Sequence, residues 1–385
     1  MITSVSLSEL VTIRGGGTPD RQNPDYWNGN IPWASVKDLK DIWLENTQEF
    51  ITEKGVKNSA TNIIPTGTVV LVTRMAVGRA CITKMPVAIN QDLKALFCSS
   101  KLLPQYLLWF LIWASEKLEN QASGATVKGI KIDALNQLKI PLLPLEEQRR
   151  IAAILDKADD VRRKRQQAIA LTEELLRSAF LEMFGDPVTN PKGWEVVELQ
   201  QVCHRVTDGT HQPPEWATEG IPFLFVSNIV NGEINFNVSK YITDKSWASL
   251  TARCPIEVND ILYTTVGSYG NAALVRTEKR FCFQRHIAHI KPDPGKIHPE
   301  FLLGLMQSDG VKKQADRQVR GVAQKTLNLR ELKKFQITVP PRIYQEQYVA
   351  FQKKIESCRN NQQNCFKRQD ALFNSLLQRA FRGEL

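Results

Sequence analysis

The sequence predicts an α+β protein built from two tandem copies of one unit, each a mixed α/β domain followed by a long helix. Three observations predict it: ordered internal repetition, two long stretches free of glycine and proline, and short β-rich runs punctuated by turn residues. IPWASVKDL (31–39) returns as IPFLFVSNI (221–229), FITEK (50–54) as YITDK (241–245), GTVVLVTRMAVGRA (67–80) as NDILYTTVGSYGNA (259–272), and PQYLLWF (104–110) as PEFLLGL (299–305). The offset creeps from 190 to 195 residues, as short loop insertions make it do, then holds at 197 from Lys128/Lys325 to Phe184/Phe381. Chance matching does not preserve that order, so the chain is a tandem duplication.

Residues 1–143 form the first mixed domain, with the runs IPWASV and TVVLVT as strands and a helix beginning near Pro104. Residues 144–184 carry the first long helix. Its stretch 145–184 lacks Gly and Pro and spans about 60 Å at 1.5 Å per residue. GDPVTNPKG (185–193) is a linker. Residues 194–340 repeat the mixed domain, with ILYTTV and FCFQRHIAHI (281–290) as strands and a helix from Pro299. In that last strand His286 and His289 fall on opposite faces, which argues against a metal-binding pair. Residues 341–385 carry the second long helix.

Both helices show apolar residues at spacings of three and four. The first seam is Ile154, Ala158, Val161, Arg165, Ala168, Thr172, Leu175 and Ala179. The second is Phe351, Ile355, Cys358, Gln362, Cys365, Gln369, Leu372 and Leu376, polar at the same two places. Leu176, Phe180, Met183 and Phe184, with Phe373, Leu377 and Phe381, widen the apolar surface beyond what one helix pair covers. That width predicts helices from a partner, docked around Ile154, Val161, Leu175, Phe180, Phe351, Ile355, Leu372 and Phe381.

Composition narrows the function. The 385 residues are 42% hydrophobic and 23% charged, which excludes a disordered or fibrous chain. Lys+Arg 50 against Asp+Glu 40 gives +10, fitting a protein that meets polyanions. The longest apolar run, LLPQYLLWFLIWA (102–114), is too short for a bilayer. MITSVSLSEL has no signal-peptide pattern, so a cytoplasmic location is expected. Seven cysteines without a C-x-x-C pair argue against a disulfide framework or zinc knuckle.

Two patterns raise the competing reading of a stand-alone DNA-modifying enzyme. Asn23-Pro24-Asp25-Tyr26 is near the loop of amino-methyltransferases but lacks its second proline. Asp20, Asp38 and Lys40 fit a loose nuclease pattern in which carboxylates hold Mg²⁺. Copy two has Asn228 and Val230 at the latter two positions, so duplication discards the pattern. The chain is therefore expected to hold no metal and to perform no catalysis.

What distinguishes the copies is polar. Lys37-Asp38 faces Ser227-Asn228, Arg74 faces Val266, Arg79 faces Asn271, and Asn90-Gln91-Asp92 faces Gln284-Arg285-His286. Arg, Lys, Asn and Gln read base edges in the major groove, so one scaffold with two reader sets would read two short sequences. The candidate DNA-binding residues are Arg14, Thr18, Lys37, Asp38, Arg74, Arg79, Asn90 and Gln91 in copy one. Copy two offers Thr210, His211, Ser227, Asn228, Ser268, Tyr269, Arg285 and His286. The run Arg162-Arg163-Lys164-Arg165 either contacts phosphates or pairs with Asp156, Asp159 and Asp160 on its own helix.

Several segments together resemble the specificity subunits of type I restriction–modification enzymes. They are RGGGTP (14–19), SGATVKGIKIDALNQLKIPLLPLEEQRRIAAIL (123–155), LLRSAFLEMFGDP (175–187), WEVVEL (194–199) with VTDGTH (206–211), and SLLQRAFRGEL (375–385). The resemblance implies two target-recognition domains, an antiparallel coiled-coil pair of helices, and a pseudo-twofold, circular arrangement with neighbouring termini. It implies double-stranded DNA as ligand, each domain reading one half of a bipartite asymmetric site while the helices set the spacer. It implies two modification (methyltransferase) subunits as partners, and restriction subunits beyond them. S-adenosylmethionine, ATP and Mg²⁺ would then serve the partners' N6-adenine methylation and ATP-dependent cleavage, with no cofactor in this chain. PPRIYQEQYVAF (340–351) departs from PLEEQRRI (144–151), and beyond Pro144/Pro341 it is Gln148/Gln345 that carries over clearly.

Overall fold

The computed structural model describes residues 3–122, 129–230, 232–321 and 325–385. Lys128, where the constant offset begins, and most of SGATVK lie outside them. The chain divides into two units, residues 1–167 with 363–385, and residues 168–362. Each contains one mixed domain, the beginning of the long helix that follows it, and the end of the other.

In the first unit a five-stranded sheet runs in the order Val11–Gly15, Leu93–Cys98, Val69–Val72, Ala80–Thr83 and Trp43–Leu44. Beside it lies a four-stranded sheet ordered Glu49–Ile51, Trp27–Ala34, Val87–Ile89 and Ile63–Ile64. All four residues of Val69–Val72 are buried because both faces of their sheet are covered. Alternation sends Val69 and Leu71 toward the helices, and Val70 and Val72 toward the second apolar cluster.

The second unit repeats the plan. Cys203–Asp208, Ile287–Pro292, Ile261–Thr264 and Ala272–Leu274 make one sheet, and Trp216–Ala217, Tyr241–Ile242, Ile221–Leu224 and Cys282–Phe283 the other. The run 281–290, read above as a single strand, is broken at Gln284–His286. His289 is buried on a strand while His286 sits in the turn before it.

Helix α1 (Pro104–Trp113) packs on the first sheet, and α2 (Leu145–Phe184) is the first long helix. Their counterparts are α3 (Pro299–Met306) and α4 (Arg342–Arg382). In the first unit Ile151, Ala152 and Leu155 of α2 join Phe373, Leu377, Ala380 and Phe381 of α4 in the α1 core. Trp109 Nε1 donates to Asp156 at 2.8 Å, and the Trp109 and Phe373 rings meet at 5.6 Å. Arg162 pairs with Asp370 and Arg150 with the Leu385 carbonyl, so these helical pieces run antiparallel. Thr3 accepts from the Leu142 amide, so Thr3 and Leu385 both lie at the start of α2. In the second unit Phe180 and Phe184 of α2 pack on Phe301 and Tyr348.

These contacts correct the helix surface read from the sequence. Phe180 and Phe381, assigned there to a partner, are 4% and 5% exposed inside the chain's own cores, together with Phe184, Phe373 and Leu377. The wide apolar ends of the helices cover the mixed domains. The buried stripe also begins one turn position away from the expected seam, at Gln148, Ile151, Ala152, Leu155 and Asp159, and at Gln345, Tyr348, Val349 and Gln352. Ile154, Phe351 and Ile355 are half-buried, whereas Val161, Leu175 and Leu372 are exposed. The basic run is self-paired: Arg162 and Arg163 both reach Asp159, Arg163 also Asp41, and Lys164 reaches Asp160.

One buried side chain ties each long helix to its domain. Gln148 accepts from the Leu103 amide at 2.9 Å and donates to the carbonyls of Lys101 and Leu143, each at 2.8 Å. Gln345 accepts from the His298 amide at 2.8 Å and donates to the Pro340 carbonyl at 2.7 Å. Both bind the residue preceding the proline that opens α1 or α3. Replacing Gln148 by Ala leaves three part-buried backbone groups without their partner, so thermal unfolding should show a loss on the order of 3 kcal/mol. Gln345→Ala should lose less, about 2 kcal/mol.

Candidate nucleic-acid interface

Topology gathers four loops at one end of the sheets in each unit. In the first unit Trp27–Ala34 runs parallel to Val87–Ile89, so the loops that follow them, 35–40 and 90–92, emerge side by side. Val69–Val72 runs antiparallel to Leu93–Cys98, which sets Thr73–Arg79 against the start of the latter. Thr73 binds the Asp92 carbonyl through both its amide (2.9 Å) and its hydroxyl (3.0 Å). The fourth loop, Gly15–Thr18, enters because Gly16 has no side chain. A Cβ there would lie 2.0 Å from the Ile89 carbonyl oxygen.

The second unit makes the same bonds with different residues. Thr265 binds the His286 carbonyl twice, at 2.9 and 3.0 Å, and a Cβ on Gly209 would lie 2.4 Å from the Phe283 carbonyl oxygen. Ile130 donates to Thr73 in one unit and Leu327 to Thr265 in the other, at 2.9 and 2.8 Å. On this shared frame Arg74 takes the place of Val266, Gln91 of Arg285, Asp92 of His286, Lys94 of Ala288 and Thr18 of His211. The backbone is held constant where the exposed chemistry changes.

The candidates separate on this frame. Arg14 lies over the Phe97 ring at 5.2 Å, Thr18 donates to Gln91 at 2.6 Å, and Arg74 pairs with Asp92 at 3.4 Å. Lys37, Arg79, Ser227, Ser268 and Arg285 are exposed in the loops. His211 is exposed and bound to Asp208 at 2.7 Å. His286 is half-buried, and burial followed by the charge of Arg285 holds its imidazole below the usual range.

Five of the assigned readers have their polar ends engaged within the chain. Asp38 accepts from the amides of Ser35 and Gln48 at 2.8 and 2.9 Å. Asn228, 7% exposed, accepts from Phe225 and donates to Asn235, each at 2.9 Å. Asn90 is buried and closes a turn with Asp92. The Thr210 hydroxyl donates to the Gln212 carbonyl at 2.9 Å. Tyr269 gives its hydroxyl to Asp316 at 2.7 Å, with Lys312 over its ring at 3.7 Å. The residues of the enzyme patterns also make local bonds. Asp20 accepts from the Gln22 amide, and Asn23 caps the turn containing Asp25. Among the described residues no three His, Cys, Asp or Glu side chains group as metal ligands.

Three further residues at this edge were not among the candidate readers. Asp92 holds Arg74, and the two are replaced together by His286 and Val266. Lys94 donates to the Gln91 carbonyl at 2.8 Å. Burial chiefly lowers its ammonium pKa, Asp92 opposing and Arg74 adding to the effect. Met75 has φ +71° and is 69% exposed, where the second unit places Gly267 at φ +70°.

Two tandem α+β units with matched loop frames and divergent polar edges define a dual sequence-reading protein. The family model for the type I restriction modification DNA specificity domain matches the chain twice, over residues 2–171 and 191–365, and the chain belongs to that family. It is 26% identical to the type I restriction enzyme MjaIX specificity subunit of Methanocaldococcus jannaschii, over 96% of this chain and 91% of that one. It is 33% identical to the EcoR124I/EcoR124II specificity subunit of Escherichia coli over 40% of each chain. In fold it resembles the S subunit of the type I system of M. genitalium, with TM-score 0.57, 14% identity and coverage of 98% and 96%. A second likeness, with TM-score 0.61, 18% identity and coverage of 100% and 98%, is to a chain from a structure of type I restriction–modification complex assembly. The chain is thus a DNA-specificity component and not one of the catalytic chains. Among the described residues no helix is long and apolar enough to cross a membrane.

Met75 gives this edge a direct test. A non-glycine residue in the left-handed region costs about 1–2 kcal/mol, part of which glycine returns through unfolded-state entropy. Met75→Gly should therefore raise stability by about 0.5–1 kcal/mol in denaturant unfolding.

Proposed function

We propose that each unit reads one half of a bipartite, asymmetric site on double-stranded DNA through its four gathered loops. The observation that carries this is the constant loop frame bearing exchanged side chains: Arg74, Gln91 and Thr18 against Val266, Arg285 and His211. The first set, with Arg14, Lys37 and Arg79, reads one half. Arg285, His286, His211, Ser227 and Ser268 read the other. The net charge of +10 supplies attraction to the phosphates.

The partners are two modification subunits, with restriction subunits added to them, in the cytoplasm. S-adenosylmethionine, ATP and Mg²⁺ belong to those partners, and this chain contributes position. The exposed apolar residues Val161, Leu175 and Leu372 on the long helices supply docking contacts.

Exchanging residues 1–143 for another recognition domain should change one half of the methylated sequence and leave the other half and the gap intact. Arg285→Ala should relax one base position by about 1–3 kcal/mol, read as methylation rates on variant sites. A change spread over both halves would defeat the assignment.

The helices act as the spacer. Four helix-compatible residues inserted after Arg165 add about 5–6 Å. That is between one and two base pairs at about 3.4 Å each, and the recognised gap should lengthen by that much. Leu372→Glu should weaken co-purification with the modification subunit while unfolding stays within about 0.5 kcal/mol of the parent.

A further inference from the structure

The second unit contains a side-chain relay that DNA reading does not use. Cys254 Sγ lies 3.3 Å from His289 Nδ1, and His289 Nε2 lies 2.6 Å from Asp260 Oδ2. The same carboxylate oxygen accepts from the Glu257 amide at 2.8 Å and from Lys291 Nζ at 2.9 Å. His289 and Asp260 are 1% and 4% exposed, whereas Cys254 is half-buried. A nucleophile, a base and a carboxylate that orients the base thus stand in hydrogen-bond order.

The fold does not require this arrangement. The first unit builds the equivalent strands with Ala95 where His289 stands and Thr68 where Asp260 stands. Three polar groups placed in a position that an alanine and a threonine fill equally well point to chemistry at the thiol.

We propose that Cys254 is a nucleophilic thiolate site, held by His289 and Asp260, whose substrates are small hydroperoxides. The thiol proton passes to His289, and the imidazolium is held by Asp260. The thiolate then attacks one peroxide oxygen: an S–O bond forms, the O–O bond breaks, sulfur is oxidised by two electrons to sulfenic acid, and the peroxide is reduced. The departing alkoxide or hydroxide takes the proton from His289 and leaves as alcohol or water.

The electrostatics agree with this geometry. Burial pushes the Cys254 thiol up, but the His289 hydrogen bond and the charges of His289, Lys291 and Arg205 outweigh it and leave the thiol below its ordinary value. Burial pushes His289 down, and its bonds to Asp260 and Cys254 more than reverse that. Lys291 and Arg205 come from the two neighbouring strands, Ile287–Pro292 and Cys203–Asp208, and Glu257 faces Lys291 from the loop before Asp260.

The test uses the full chain and its own cysteines as controls. Iodoacetamide labelling of each cysteine, followed by peptide mass spectrometry across pH, gives a rate curve for Cys254 beside those of the exposed Cys358 and Cys365. The Cys254 midpoint should lie below theirs, a comparison that site access does not alter. Tenfold more thiolate costs roughly threefold in intrinsic nucleophilicity, so a net gain of about threefold at low pH is expected for each tenfold. Hydrogen peroxide should then place a dimedone-trappable sulfenic acid on Cys254 before the other cysteines. His289→Gln should return the midpoint to that of Cys358, and Asp260→Asn does the same should the first variant fail to fold. A Cys254 midpoint at or above that of Cys358, or peroxide oxidation that favours another cysteine, overturns the proposal.

Discussion

The architecture hangs on one buried amide in each unit. Gln148 and Gln345 join the start of a long helix to the chain just before a shorter one, using hydrogen bonds that no apolar residue can replace. A helix pinned only by apolar contacts can slide by a turn. One whose first turn is fixed to backbone amides and carbonyls cannot, and the two loops bound by Gln148 lie at the foot of α1. Everything that uses the helix as a measure of distance depends on that fixed origin. This is why the glutamine persists between copies when the surrounding residues PLEEQRRI and PPRIYQEQYVAF do not.

The loop edges follow the opposite rule. There the backbone bonds repeat and the side chains do not. Thr73 and Thr265 each fasten two loops to one carbonyl, Gly16 and Gly209 let a third pass close, and the exposed residues change without disturbing any of these contacts. Separating the groups that hold a loop from the groups that present chemistry lets one frame carry two specificities. Asp38 and Asn228 belong to the first category, although their polarity and position suit the second.

The duplication, the Gly- and Pro-free helices and the strands Val69–Val72 and Ile261–Thr264 were legible because each leaves a one-dimensional pattern. The buried face of the helices was not. Gln148 and Asp159 sit inside while Val161 and Leu175 sit outside, so apolar spacing pointed to the wrong stripe. The helices pack on their domains, where a polar group can find a partner, as Asp159 finds Arg162 and Arg163. The break at Gln284–His286 was hidden because a turn made by hydrogen bonding needs no glycine or proline. The grouping of Cys254, Asp260 and His289 depends on a side-chain contact between residues 35 apart in sequence and leaves no local signal.

The division of α4 between the units has a consequence for synthesis. The apolar face of α1, with Tyr106, Trp109 and Phe110, is covered by Phe373, Leu377 and Phe381 at the far end of the chain. As the polypeptide leaves the ribosome, the first domain emerges with that face bare and stays so until residues 373–381 have followed it. The nascent first half therefore carries an adhesive surface through the whole translation of the second.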